Sequence, residues 1–402
     1  MEIHINGPRP QNGRKVILQG NEACAKGAIY AGCRFFAGYP ITPSTEIIEL
    51  MSSEIVNVGG TFIQMEDEIA SACAIVGARW GGKRAMTATS GPGFTLMQET
   101  IGFAAVTETP VVIVNVQRGG PSTGQPTMSS QQDIYQAKYG SHGDYEIIAL
   151  TPSSAQEMYD FTIRAFELSE KFRTPVILLA DEAVGHLREK VVIYDGERKI
   201  RGGHRNYVVS PQEDFFTGGN SLVEGQLHDE EGKRIGHMAL KSSDFIQSIN
   251  RKITSHIDEI RDIETYLMED ADIAILAYGS VARPALNAVK SAKGIREEAE
   301  EKWNKLRLLK GLLKRKALHE NPYSHLNVGL IKVNTVWPFP DNEIKRLAEK
   351  CKYVFVPEMN IGKYYKEVER CLHHSKVVSL PKIGGEIHKP TEILDAIAKE
   401  VE

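Results

Sequence analysis

Consecutive apolar residues inside short β-prone runs constrain this chain more than any other feature. Val111-Val112-Ile113-Val114 is apolar at four successive positions, and 175–180 reads the same way. A strand of that kind must be buried on both faces, which helices on both sides of a parallel sheet provide. Between 15 and 181 such runs alternate with longer helical patterns. Strands are expected at 15–19, 34–37, 61–65, 84–89, 110–116, 146–150 and 175–180, with helices at 22–31, 43–56, 66–80, 94–107 and 153–171. The region reads as an α/β domain of doubly wound type.

The texture changes after Asp181. From 182 to 241, Gly and charged residues dominate with little periodicity, and 242–268 reads as a polar helix leading into a second domain. That smaller α/β unit has expected strands at 272–278, 327–333, 353–357 and 376–380, and helices at 341–351, 362–374 and 391–401. A charged stretch at 296–319 reads as a solvated helical hairpin or insertion, with a partner-docking arm as the alternative.

Composition removes several functional classes. The 402 residues suggest two or three domains. With 48 basic and 52 acidic residues the net charge is −4, so nucleic acid is not the expected partner. Residues 1–10 are polar with two prolines and do not read as a signal peptide. No apolar run approaches the ~20 residues of a membrane helix. The cysteines, Cys24, Cys33, Cys73, Cys351 and Cys371, contain no C-x-x-C pair, which argues against a zinc or iron–sulfur site built by this chain alone. The expected setting is cytoplasmic and reducing.

Four polar segments fall where expected strands end and helices begin, the edge at which open α/β sheets collect ligands. In Tyr39-Pro40-Ile41-Thr42-Pro43-Ser44 two prolines stiffen a turn whose hydroxyls could cap the next helix or face a ligand. Glu66-Asp67-Glu68 complements a helix N-terminus, or turns one acid into an apolar cleft where it could exchange protons. Thr89-Ser90-Gly91-Pro92-Gly93 is either a simple tight turn or one whose backbone N–H groups are left free for a ligand. Arg118, directly after a buried strand and followed by Gly119-Gly120-Pro121-Ser122-Thr123-Gly124, suits bidentate carboxylate binding or an internal salt bridge.

In this order the four segments resemble the α subunit of 2-oxoacid:ferredoxin oxidoreductases, and the Arg118–Gly124 loop is most like the 2-oxoglutarate members. Asp181-Glu182-Ala183, His228-Asp229-Glu230 with Gly232, Trp337-Pro338-Phe339-Pro340 and Glu358-Met359-Asn360 extend the likeness over nearly the whole chain. Lys363 stands where the family pattern leads one to expect Gln.

The resemblance implies a pyrimidine-type thiamine diphosphate-binding domain over 1–190, an irregular connection and helix over 191–268, and a transketolase C-terminal-like domain over 269–402. It implies oxidative decarboxylation of a 2-oxoacid, with the acyl group passing to coenzyme A and electrons to ferredoxin. Pyruvate, branched-chain and aryl 2-oxoacids are rival substrates, and a non-catalytic scaffold subunit is the rival role. By motif position Glu68 would pair with the N1′ atom of the cofactor's aminopyrimidine as the catalytic carboxylate, beside a cofactor-binding turn of Ser90, Gly91 and Gly93. Thr42 and Arg118 would bind the substrate carboxylate, with Ser122 and Thr123 as further contacts, and no metal ligand falls on this chain. A Gly-Asp-Gly diphosphate motif is absent from the sequence. The resemblance therefore assigns the diphosphate and Mg²⁺ to a β subunit, and [4Fe-4S] clusters to partners among β, γ and possibly δ subunits.

Overall fold

The computed structural model describes residues 13–200, 225–227, 234–295 and 321–401. The charged stretch at 296–319 and His228-Asp229-Glu230 with Gly232 lie outside them. The strands of the first 200 residues are β1 (Arg14–Gln19), β2 (Phe35–Gly38), β3 (Thr61–Gln64), β4 (Ala85–Thr89), β5 (Val112–Gly119), β6 (Gln125–Ser129), β7 (Ile148–Leu150), β8 (Val176–Asp181) and β9 (Arg188–Ile193). They are followed by β10 (Ile263–Tyr266), β11 (Ile273–Ala277), β12 (Val328–Val333), β13 (Thr335–Trp337), β14 (Tyr353–Glu358) and β15 (Lys376–Pro381).

Two compact units result. The first comprises residues 1–262, 334–340 and 383–385, the second 263–333, 341–382 and 386–402. The division thus falls between Asp262 and Ile263, and the first unit takes back a short piece of the later chain.

In the first unit the main sheet runs β13-β7-β8-β5-β4-β2-β3, with β6 hydrogen-bonded to β5. The β7/β8, β8/β5, β5/β4, β4/β2 and β2/β3 pairs are parallel. β4, β5 and β8 are buried at every position, as their apolar runs require. Each Val, Ile or Leu so enclosed contributes about 1.5–3 kcal/mol relative to exposure. On one face, helix Gly20–Tyr30 lies against helix Ala155–Phe172. Gly27 permits this approach, because a Cβ there would stand 2.6 Å from the Tyr159 carbonyl oxygen.

Four features depart from the sequence expectation. β1 is not part of the parallel sheet; it pairs antiparallel with β9, from the stretch read as irregular. The helix expected at 242–268 is helix Ala239–Thr254 and a short turn, after which β10 pairs antiparallel with β12. Helix 94–107 is two helices, Gly91–Leu96 and Gln98–Val106, meeting at Met97. Finally, β6 and β13 add antiparallel strands to β5 and β7. In the second unit the sheet runs β10-β12-β11-β14-β15, parallel from β12 onward.

Candidate active site

The carboxyl ends of β5, β4, β2 and β3, neighbours in that order, carry the four polar segments. After β3 the three acids separate into different roles. Glu66 is exposed, and Asp67 caps the helix by accepting from the Ala70 N–H at 2.7 Å. Glu68, the first residue of helix Glu68–Trp80, is only 5% exposed.

Burial raises the Glu68 pKa; its own backbone N–H and the Arg118 charge pull against that shift, while Asp67 adds to it. A carboxyl so placed holds a proton more readily than a solvated one.

After β4, Gly93 makes room for that carboxyl. A Cβ on residue 93 would stand 2.3 Å from Glu68 Oε1 and 2.2 Å from Thr89 Oγ1. Only hydrogen fits there. The turn does not offer the free N–H groups the sequence allowed: the Gly91 N–H donates to Asn115 Oδ1 at 3.2 Å, and the Gly93 N–H to the Ser90 carbonyl at 2.9 Å. What the turn does leave without a partner among the described residues are the fully buried hydroxyls of Thr89 and Ser90.

Arg118, near the end of β5, is 5% exposed, and its pKa is lowered by burial against the raising influence of Glu68 and Asp133. Its Nη1 donates to the Thr42 carbonyl at 2.7 Å, and its Nε has no hydrogen-bond partner among the described residues. Thr42 thus meets Arg118 through its main chain. The helix following that turn is not capped by Thr42 or Ser44, since the Ser44 hydroxyl donates back to the Ile41 carbonyl at 2.9 Å.

The structure therefore brings Glu68, Thr42, Arg118, Ser90, Gly91 and Gly93 to one sheet edge. Ser122 and Thr123 are exposed on the loop between β5 and β6, where Ser122 adopts φ +57°.

Supporting side chains escaped sequence reasoning. Fully buried Asn21 donates to the Pro43 carbonyl and to Glu46 Oε2, both at 2.8 Å, and fixes the turn after β2 from behind. Asn115 donates to Asp133 Oδ2 at 2.9 Å while accepting from Gly91. An amide alone in the run Val112–Val116 was a readable signal; nothing in the sequence marked Asn21. The Gly120 N–H donates to Gln132 Oε1 at 2.8 Å, which anchors the loop that carries Ser122.

Residues 26–233 match the pyruvate flavodoxin/ferredoxin oxidoreductase family of thiamine diphosphate-binding domains. Residues 314–393 match core domain II of pyruvate:ferredoxin oxidoreductase. The chain belongs to this family, the thiamine diphosphate-dependent 2-oxoacid:ferredoxin oxidoreductases. Within it, the chain is 47% identical to the 2-oxoglutarate synthase subunit KorA of Methanothermobacter marburgensis, over 95% of this chain and 98% of that one. It is 49% identical to KorA of Methanocaldococcus jannaschii over the same shares. A solved 2-oxoglutarate:ferredoxin oxidoreductase from Magnetococcus marinus superposes with a TM-score of 0.78 at 28% identity, over 96% of this chain. This chain spans 65% of the length of that solved chain. Among the described residues no helix is long and apolar enough to cross a membrane.

Proposed function

We propose that this chain is the α-type subunit of an enzyme that oxidatively decarboxylates 2-oxoglutarate to succinyl-CoA and passes the electrons to ferredoxin. Identity near one half with two KorA chains over almost their entire lengths supports the substrate. The observation that carries the chemistry is the buried Glu68 carboxyl in the space left by Gly93, at the same sheet edge as Arg118.

These residues fit thiamine diphosphate. A carboxyl with a raised pKa suits pairing with a ring nitrogen, and the unpartnered Thr89 and Ser90 hydroxyls add polar atoms to an otherwise close-packed turn. When bound, thiamine diphosphate supplies the nucleophilic carbon and electron sink that decarboxylation needs. Glu68 would hold a proton at the aminopyrimidine N1′ atom and fix the ring's orientation. Arg118 binds the substrate carboxylate through the N–H groups not committed to Thr42, with the Thr42 hydroxyl alongside. Ser122 and Thr123, exposed on the loop that follows Arg118, supply further contacts to the substrate. Coenzyme A is the acyl acceptor.

The diphosphate and Mg²⁺ belong to a β subunit, and [4Fe-4S] clusters to partner subunits, with γ and possibly δ chains completing a cytoplasmic assembly. Activity requires those partners. The test is turnover of a panel of 2-oxoacids by the assembled enzyme, with coenzyme A and ferredoxin. The highest kcat/KM is expected on 2-oxoglutarate, and preference for pyruvate or a branched-chain acid would displace that assignment.

A further inference from the structure

Thr89 ends β4 with its side chain fully buried, and its hydroxyl has no partner among the described residues. A buried hydroxyl left unsatisfied is costly, which makes the position unusual unless the group has work to do. The site shows what lies opposite. A Cβ on Gly93 would fall 2.2 Å from Thr89 Oγ1 and 2.3 Å from Glu68 Oε1, so those oxygens can be no farther apart than the two distances combined. That separation is closed by a small rotation of the carboxyl or spanned by one water.

We propose that Thr89 is a positioning residue for Glu68, its hydroxyl donating a hydrogen bond, directly or across one water, that holds the Glu68 carboxylate against Gly93. The inference deepens the reading of Glu68 given above and rests on it for its catalytic meaning.

A donor to the carboxylate favours its charged form, so removing the donor raises the pKa of the group. Thr89→Val keeps the shape of the side chain and deletes the hydroxyl; Thr89→Ser keeps the hydroxyl. Infrared titration of the full chain without cofactor, with Glu68→Gln as the subtraction reference, isolates the Glu68 carbonyl band. In Thr89→Val the midpoint is expected to move up by about one pH unit, while Thr89→Ser stays with the unaltered chain. Thr89→Ala provides the same reading should the valine fail to pack. In the assembled enzyme Thr89→Val is expected to lower kcat about 10-fold with an unchanged KM for the 2-oxoacid, and Thr89→Ser to restore it. A Glu68 midpoint that stays put or falls in both hydroxyl-free variants overturns the proposal. A midpoint that rises while kcat is unaffected upholds the hydrogen bond to Glu68 and overturns its part in positioning that group for turnover.

Discussion

Arg118 is tied to the turn after β2 by a 2.7 Å hydrogen bond from Nη1 to the Thr42 carbonyl, joining residues 76 positions apart. The bond fixes the planar fork at one corner and leaves its Nε without a partner among the described residues. Lys can place a charge at this point but cannot hold Thr42 and a carboxylate together in one plane. Arg118→Lys is therefore expected to raise the KM for 2-oxoglutarate roughly 10- to 100-fold, the equivalent of one lost charge-assisted hydrogen bond. Steady-state kinetics of the assembled enzyme checks this, and an unchanged KM removes Arg118 from the substrate site. Because Thr42 engages Arg118 through its carbonyl, Thr42→Ala leaves that bond available.

Gly93 and Glu68 compete for one volume. Gly93→Ala drives a methyl group into the carboxyl and the Thr89 hydroxyl at once, so either the side chain or the turn must move. Overpacking of this kind costs about 1–3 kcal/mol. The expected result is a lower melting temperature and lost thiamine diphosphate affinity, measured by thermal unfolding and by calorimetric titration of the assembled enzyme. Full affinity at wild-type stability would mean that the carboxyl does not occupy the space seen here.

Much of this architecture was legible, and the failures have a pattern. β4, β5 and β8 could be read because burial on both faces forces consecutive apolar residues. β1 is legible as a strand but not in its sheet, and β10 is hidden in an expected helix, because each is defined by an antiparallel partner far along the chain, β9 and β12. At the site, segment order identified the sheet edge, but spacing could not choose among Glu66, Asp67 and Glu68. Only the fold shows one acid capping the helix, one exposed and one enclosed. Sequence could not decide between a tight turn and free Gly91 and Gly93 N–H groups, because their acceptors, the Asn115 side chain and the Ser90 carbonyl, are set by the fold.

Glu68 also weighs on stability. Its folded pKa lies above the ordinary carboxyl value near 4.5, chiefly through burial. The folded state therefore binds this proton more tightly than the unfolded chain, and its stabilising effect is lost as pH rises from that value through the folded pKa. Glu68→Gln removes the titration. Its melting temperature is expected to exceed that of the unaltered chain by a margin that grows with pH above about 4.5 and then levels off. The same substitution should reduce turnover roughly 10²- to 10⁴-fold. Parallel thermal scans from pH 4 to 8 test the first half, and a margin that shrinks with rising pH would contradict the burial argument.

In the second unit, Glu358-Met359-Asn360 has a structural explanation that its place in the sequence did not reveal. Glu358 is fully buried at the end of β14, where its oxygens accept from the Tyr278 hydroxyl at 2.9 Å, the Asn360 amide at 2.8 Å and the N–H groups of Tyr364 and Tyr365 at 3.0 and 2.8 Å. Asn360 Oδ1 accepts the N–H groups of Gly362 and Lys363 at 2.8 and 2.9 Å, so the two side chains together satisfy the first turn of helix Lys363–Cys371. Asn360→Ala removes two acceptor bonds and one donor to a buried carboxylate, a loss of about 2–4 kcal/mol for this turn. Hydrogen exchange followed by mass spectrometry on peptides spanning 358–371 reads it locally. Faster exchange at Gly362–Tyr365 is expected, with β4 and β5 unchanged. Exchange that is unaffected at those amides would show that Asn360 does not hold the helix start.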